Sequence, residues 1–196
     1  MKRLLLILLS LISFIMFVGC EKFKNNTKLV YEPLSEKEEC LLDLTGNEVL
    51  MYKLNNIPGD KKYDISLIYE VYKNTEKIKE EVITGFKEDE PSGKSEIETL
   101  GLNIHNNEIR FISGKEGAYA SGSYNLDEDL SKYSKAFFTN NANLTIGTDI
   151  YIYYANSGDE IRTDIPLGVP IKLSNINDIL KDNEYTVLIK LSFKEI

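Results

Sequence analysis

The stretch KYDISLIYEVYK, residues 62–73, carries a clear signal of secondary structure. Every second residue in it is apolar or aromatic, and these residues share one face of an extended chain: Tyr63, Ile65, Leu67, Tyr69 and Val71. Successive side chains of a β-strand point to opposite faces, so a period of two over this length is typical of a half-buried strand. The stretch therefore predicts a β-strand with one face in a core.

Two hairpins are predicted, one formed by this strand and the residues that follow it, and one further along the chain. Asn74-Thr75 is a turn candidate, and residues 76–83 predict a returning strand, although residues 76–81 alone also fit a helix. Residues 100–111 alternate on both sides of Asn106-Asn107. Asparagine tolerates the positive φ of a tight turn, so this stretch predicts the second hairpin.

Further strand-like stretches are separated by turns rich in Asn, Gly and Asp: residues 47–54, 117–124, 145–155 and 184–193. Short helices are predicted near residues 35–42, where Ser35 and Glu38 form a capping-box pattern, and near 175–183. Eight or nine strands without long intervening helices predict a mainly β protein, either an antiparallel sandwich or a barrel. Because the strands differ in length, we favour one immunoglobulin-like sandwich over residues 34–196. A division into two domains near residues 87–96 is the alternative.

Composition narrows the class of protein. The chain has 196 residues and a formal net charge of −8, with 42% hydrophobic and 28% charged residues. A chain of this length forms one domain of ordinary size, and its apolar content is sufficient for a core. An acidic chain without a basic run repels phosphate backbones, so we expect no nucleic-acid partner.

The first 19 residues are predicted to form a secretory leader with a short helix. Met1-Lys2-Arg3 is basic, and the 15 residues of 4–18 are apolar except for two serines. A helix of that length spans about 22 Å, whereas a hydrocarbon core is about 30 Å thick. The run therefore has the length of a leader's apolar region, with a permanent short span as the alternative.

The residues Phe17-Val18-Gly19-Cys20 resemble a lipobox, the processing motif of bacterial lipoproteins. The resemblance implies cleavage after Gly19 and a diacylglyceryl group on the Cys20 sulfur, which would anchor the mature chain to the outer face of the cell membrane. Residues 20–33 would be the lipidated cysteine and a polar tether. The stretch LIYEVYKNTEKI, residues 67–78, is also similar to hairpins in small β-sandwich lipoproteins of Gram-positive bacteria. A plain secretory leader is the alternative.

Cys40 is the second cysteine of the chain. With Cys20 lipidated, no intramolecular disulfide can form. Because unpaired cysteine behaves as a small apolar residue, we expect Cys40 to be buried, with a reactive or intermolecular thiol as the alternative.

The sequence offers few residues for catalysis. His105 is the only histidine, and its place beside Asn106 predicts a turn residue. Asp127 and Asp129 are candidate metal ligands, because oxygen-rich loops bind Ca²⁺, with a solvated acidic loop as the alternative. We therefore expect a non-catalytic protein without a cofactor.

Tyrosines are the remaining candidates for a binding surface. By alternation, Tyr151 and Tyr153 share one face of a predicted strand, and Tyr154 lies on the other. One of these faces must belong to the core, so we expect an exposed ring on the opposite face. Such a ring would stack on a sugar or anchor a peptide.

These features favour an envelope lipoprotein that binds a protein, a peptide or a small ligand. Removal of residues 1–19 leaves 21 basic and 31 acidic residues, a formal charge of −10. That charge favours, as an alternative, a protective protein that neutralises a cationic toxin or peptide. A small enzyme that uses carboxylates or Ca²⁺ is a further alternative.

Overall fold

The structure is a computed structural model, and it describes residues 27–90, 93, 99–115, 117–158, 165–171, 173–181 and 183–196. Its helices and strands are β1 (Thr27–Tyr31), α1 (Glu36–Thr45), β2 (Glu48–Asn55), β3 (Tyr63–Lys73), β4 (Glu76–Glu88), β5 (Thr99–His105), β6 (Glu108–Lys115), β7 (Ala118–Asn125), a 3-10 helix (Leu130–Lys132), β8 (Ser134–Phe137), β9 (Ala142–Leu144), β10 (Thr148–Asn156), α2 (Leu173–Leu180) and β11 (Tyr185–Glu195).

The strands form two antiparallel sheets. Sheet A has the order β7-β6-β5-β2-β1-β9, and sheet B has the order β4-β3-β11-β10-β8. The prediction of a mainly β, antiparallel sandwich is confirmed, with eleven strands in the described residues rather than eight or nine. Three of these strands, β1, β8 and β9, were not predicted, and β8 and β9 contain only four and three residues, which is too short for alternation to be visible in the sequence.

The core lies between the two sheets. The strands β3 and β11 contribute many of its side chains. They pair along their full length, from Tyr63 opposite Glu195 to Lys73 opposite Tyr185. The predicted apolar face of β3 is confirmed, because all five of its residues are buried in this core together with the facing residues of β11: Tyr63, Ile65, Leu67, Tyr69, Val71, Val187, Ile189, Leu191 and Phe193. Full burial of one such side chain contributes about 1.5–3 kcal/mol, so this strand pair contributes a substantial part of the hydrophobic stabilisation.

Both predicted hairpins are confirmed. β3 pairs with β4 around Asn74, which has a φ of 54°, and β5 pairs with β6 around Asn106, which has a φ of 51°. Residues 76–81 belong to β4, so their helical alternative is wrong. Pairing with the buried strand β3 outweighs the helix propensity of this lysine- and glutamate-rich stretch.

Both predicted helices are also present. The Ser35 Oγ accepts a hydrogen bond from the Glu38 backbone N–H, and the Glu38 carboxylate accepts one from the Ser35 N–H at 2.8 Å, which is a capping box. Gly46 ends α1 in the left-handed conformation, with a φ of 65°. Residues 173–180 form α2 within the stretch where the second helix was predicted.

The predicted tether is wrong in its second half. Residues 27–31 form β1, which pairs with both β2 and β9, and Leu29 is fully buried. The lysines and asparagines around this short strand conceal its apolar residues in the sequence. The folded domain therefore begins no later than Thr27, rather than at residue 34.

The predicted burial of Cys40 is also wrong. Cys40 is exposed on α1, and no residue of this helix is buried. The helix lies at the periphery of the sandwich, and even its leucines Leu41 and Leu44 are more than half exposed. A small apolar residue on such a helix has no core to enter.

Candidate functional site

A groove runs across the outer face of sheet A. It is formed by β2, β5, β6 and β7, whose alternate side chains point away from the core, and it has a volume of about 510 Å³. Pockets for small molecules typically enclose about 300–1,000 Å³. We call this feature the sheet A groove; the side chains that define it are Val49, Met51, Asn103, Glu108, Arg110, Ile112, Ser121 and Ser123.

The floor of the sheet A groove is apolar and depends on a glycine. A Cβ atom at Gly101 would lie 2.7 Å from the Ile112 Cγ1 and 2.9 Å from the Met51 Sδ. Because Gly101 has no side chain, these two side chains close over it. Methionine is flexible and polarisable, so this floor can adapt to the shape of an apolar ligand.

One end of the sheet A groove is polar. The Asn103 Oδ1 is buried and has no hydrogen-bond partner among the described residues. An unsatisfied buried acceptor costs about 1–3 kcal/mol, and a ligand N–H or O–H that donated to it would remove that cost. The serine hydroxyls at 121 and 123 lie on the same wall.

Arg110 and Glu108 form an ion pair beside Asn103. The Glu108 Oε2 accepts a hydrogen bond from the Arg110 Nε at 2.9 Å and lies 2.9 Å from the Arg110 Nη2. The hydrogen bond from Arg110 is the main cause that lowers the pKa of Glu108 below its ordinary value, so this carboxyl is ionised at neutral pH. The Arg110 side chain is 67% exposed. The pair is neutral overall and offers the groove both a carboxylate and a guanidinium.

A second polar cluster lies on the outer face of sheet B, and unlike the groove it is closed. Glu70 has no exposed surface. Its Oε1 accepts hydrogen bonds from the Lys190 Nζ at 2.6 Å and the Lys77 Nζ at 2.8 Å, and its Oε2 accepts from the Tyr72 and Tyr151 hydroxyls at 3.0 Å each. We call these five residues the Glu70 cluster. Both carboxylate oxygens are satisfied within the protein, which indicates a structural role.

Opposing effects set the pKa values in the Glu70 cluster. Burial raises the pKa of Glu70, but the hydrogen bonds and charges of Lys190 and Lys77 outweigh it, so the pKa lies below its ordinary value of 4.5. Burial, followed by the charge of Glu70, raises the pKa of Tyr72 to about 12 and raises that of Tyr151 as well. At neutral pH the cluster therefore contains an ionised carboxylate and two neutral phenols.

The Glu70 cluster predicts how stability depends on pH. A carboxyl whose pKa is lowered by folding contributes stability above its unfolded-state pKa, and this contribution is lost as the pH falls through the folded-state value. We therefore expect the difference in unfolding free energy between the wild type and Glu70→Gln to be largest at neutral pH and to shrink below about pH 4.5. Urea denaturation between about pH 3 and pH 7 measures this difference, and a constant difference would contradict the assignment.

The expectation of an exposed tyrosine on β10 is wrong. Tyr151, Tyr153 and Tyr154 are 3%, 0% and 1% exposed. A register shift between Tyr151 and Tyr153 in the pairing with β11 breaks the alternation, so Tyr153 packs in the core while Tyr151 and Tyr154 share the outer face of sheet B. The outer pair is covered by Ile179 and Leu180 of α2 and by residues 165–171. None of the three rings is available for stacking on a ligand.

The structure places Asp127 and Asp129 in ion pairs rather than around a common centre. The Asp127 Oδ2 accepts a hydrogen bond from the Lys79 Nζ at 2.6 Å. Asp129 caps the 3-10 helix through Ser131 and lies 3.2 Å from the Lys132 Nζ. Within the described part of the chain, no group of three or more His, Cys, Asp or Glu side chains is placed to hold a metal ion.

His105 lies at a turn, as its sequence neighbours predict. Its Nδ1 is 3.0 Å from the Gly46 carbonyl oxygen, and its Nε2 is 3.1 Å from the Asn106 Nδ2. These contacts connect the β5–β6 turn to the end of α1. Cys20 and Gly19 lie outside the described residues. No helix among those that are described is long and apolar enough to span a bilayer.

Sequence reasoning did not single out the sheet A groove. Its one local signal is Gly101, because an isolated glycine inside an alternating strand indicates close approach of other groups. The neighbours that approach, Met51 and Ile112, come from strands whose positions beside β5 only the strand order reveals.

No protein-family model, no curated protein and no solved structure matches this chain. A function therefore has to be inferred from the chain's own residues and their geometry.

Proposed function

We propose that the mature chain is a lipid-anchored, extracytoplasmic and non-catalytic binding module, and that the sheet A groove is its ligand site. The anchor is supported by the leader-like residues 1–19 and by the lipobox resemblance at Gly19-Cys20. The binding role is supported by the groove, and that is the observation that carries the proposal.

A lipid on Cys20 would fix one end of the sandwich near the membrane. Only six residues, 21–26, separate Cys20 from β1, and a chain of six residues spans roughly 20 Å at most. The Thr27 Oγ1 donates to the Asn56 carbonyl oxygen at 3.2 Å, and Thr27 pairs with Leu144, so these residues mark the anchored end. The strands of sheet A run away from that end, and the groove lies along their outer face.

The lining of the sheet A groove indicates the chemistry of its ligand. Val49, Met51 and Ile112 favour an apolar body, and the buried Asn103 Oδ1 favours an N–H or O–H donor at one end. The exposed guanidinium of Arg110 suits a carbonyl or carboxylate oxygen. Peptides and small amides combine these three features.

Filling the groove tests the proposal. Gly101→Val would push Ile112 and Met51 into the groove, because a Cβ at this position already meets both side chains. We expect fragments from an amide-rich library that give saturation-transfer NMR signals with the wild type to lose at least about tenfold in affinity, at a stability cost of about 1–3 kcal/mol.

Gly85→Val is the matched control. Gly85 is a strand glycine on the outer face of sheet B, where a Cβ meets the Ser66 Oγ at 3.0 Å. We expect this variant to retain fragment binding. Equal binding by the wild type and both variants, or no binding by any of them, would refute the groove as the ligand site.

A protective role against a cationic toxin or peptide is the second candidate, and the formal charge of −10 in residues 20–196 favours it. Charge complementarity accelerates the capture of an oppositely charged partner. We expect a gene deletion to increase sensitivity to cationic peptides, with restoration by the wild-type chain. Unchanged sensitivity would eliminate this candidate.

A further inference from the structure

β7 is an unprotected sheet edge. In the described residues the four edges are β7 and β9 of sheet A and β4 and β8 of sheet B. β8 and β9 are very short, and β4 carries seven charged residues among its thirteen. β7 has eight residues without a charge or a proline and is exposed along most of its length. Proteins usually protect an edge with charges, prolines, bulges or shortness, so β7 is the exception.

The two faces of β7 differ in a way that suits an added strand. Its core-side residues at 118, 120 and 122 are Ala, Ala and Gly, but the Phe111 ring lies over Gly122. The fourth core-side residue, Tyr124, packs against the core and donates a hydrogen bond to Glu81 of β4, so the small residues that remain open are Ala118 and Ala120. A strand added beyond β7 would place its own apolar side chains beside these two alanines and extend the core.

The other face of β7 belongs to the sheet A groove, since Ser121 and Ser123 line it. An added strand would widen the sheet on this side of the groove by one strand spacing, about 4.8 Å. Its side chains on that side would lie next to two serine hydroxyls and near the ion pair of Glu108 and Arg110. Polar side chains therefore suit alternate positions of the added segment.

A second copy of the chain fits this edge less well than a separate polypeptide. Two-fold symmetric pairing of β7 with β7 would be antiparallel, so the anchored ends of the two copies would point in opposite directions. The two Cys20 lipids would then leave from opposite ends of the paired sandwiches. A tether of six residues on each copy is too short to bring both lipids into the same membrane. A segment of another protein carries no such constraint.

We propose that β7 accepts an extended segment of a partner protein as an additional strand. Alternate residues of the segment are apolar and pack beside Ala118 and Ala120, while the intervening residues are polar and face the groove. Main-chain hydrogen bonds give such complexes affinity, and alternate side chains give them specificity. The inference rests on the proposed binding function and names its ligand class.

The first test examines the backbone of the ligand. A library of random linear nonapeptides is selected against the lipidated mature protein in detergent, and the enriched peptides are resynthesised with single N-methyl groups. We expect the enriched peptides to alternate apolar and polar residues. N-methylation should weaken binding by at least about tenfold at every second position and have little effect between them, because only alternate N–H groups of a strand face its neighbour.

The second test places a charge on the edge. Ala120 is exposed, so Ala120→Lys should leave the unfolding free energy nearly unchanged while it abolishes peptide binding. Val82→Lys, at a residue that is 61% exposed on β4, an edge strand of sheet B, is the matched control and should bind normally.

The outcomes separate the inference from the proposed function. Strand addition would be overturned if peptide binding showed no alternation with the position of the N-methyl group and were unchanged by Ala120→Lys. If Gly101→Val abolished that same binding, the groove would remain as the binding site. Failure to enrich any peptide would also overturn strand addition. A dimer in sedimentation experiments that Ala120→Lys dissociates would replace the partner protein with a second copy and would likewise overturn the inference.

Discussion

Replacing Glu70 by Gln is expected to destabilise the domain by about 3 kcal/mol or more. Removing one partner of a buried ion pair typically costs about 3–5 kcal/mol, because the other charge stays buried without compensation. That charge is Lys190, which is only 8% exposed. Its Nζ lies 2.6 Å from Glu70 but 3.8 Å from Asp149 and 3.9 Å from Glu80, so these carboxylates compensate it only in part. Urea denaturation measures the loss.

Two further variants make the result specific. Glu80→Gln removes a half-exposed carboxylate that pairs with Lys77, and we expect it to cost less than about 1 kcal/mol. The double variant Glu70→Leu with Lys190→Met removes both buried charges and should recover most of the stability lost in Glu70→Gln. A loss below about 1 kcal/mol for Glu70→Gln would show that the cluster is not buried as described.

Replacing Cys20 by Ser is expected to release the protein from the membrane completely. If a diacylglyceryl group is attached to the Cys20 sulfur, two acyl chains hold the chain, and each buried CH₂ contributes about 0.8 kcal/mol. A serine hydroxyl cannot form the thioether, so no anchor forms. Metabolic labelling with an alkyne fatty acid, followed by detergent phase partition, measures both the lipid and its effect.

Cys40→Ser is the matched control for this variant. Cys40 is the other cysteine of the chain and is exposed on α1. We expect Cys40→Ser to keep the fatty-acid label and to stay in the detergent phase. Labelling that depends on Cys40, or an intact mass that still includes Met1, would contradict the anchor.

The parts of the fold that the sequence predicts are those set by local periodicity. β3 and β11 are long and alternate without interruption, and the turns at Asn74 and Asn106 need the positive φ that asparagine tolerates. The capping box at Ser35 is likewise a local pattern. In each case the residues that carry the signal are neighbours in the chain.

The errors arise where long-range packing decides. One register shift in β10 exchanges the faces of its tyrosines, so simple alternation places Tyr153 with the wrong partner. β1 is a strand because β2 and β9 lie on either side of it, and its own five residues show little pattern. The burial of Glu70 depends on Lys190, which lies 120 residues away.

The sheet A groove belongs to the same category. Its floor combines Met51, Gly101 and Ile112, three residues that only the strand order β6-β5-β2 brings together. The free edge β7 is also a property of the completed sheet, since any strand is an edge or a centre only by virtue of its neighbours. The tyrosines of β10, which the aromatic content suggested as binding residues, are buried instead, and two of them lie on the covered outer face of sheet B.

Hydrogen–deuterium exchange can show whether the outer face of sheet A, together with β7, is the binding surface. Exchange of the lipidated mature protein is compared with and without the tightest peptide from the selection. We expect slower exchange in β7 and in the groove strands β5 and β6, with little change in β3 and β11. Protection confined to sheet B or α1, with β7 unchanged, would contradict it.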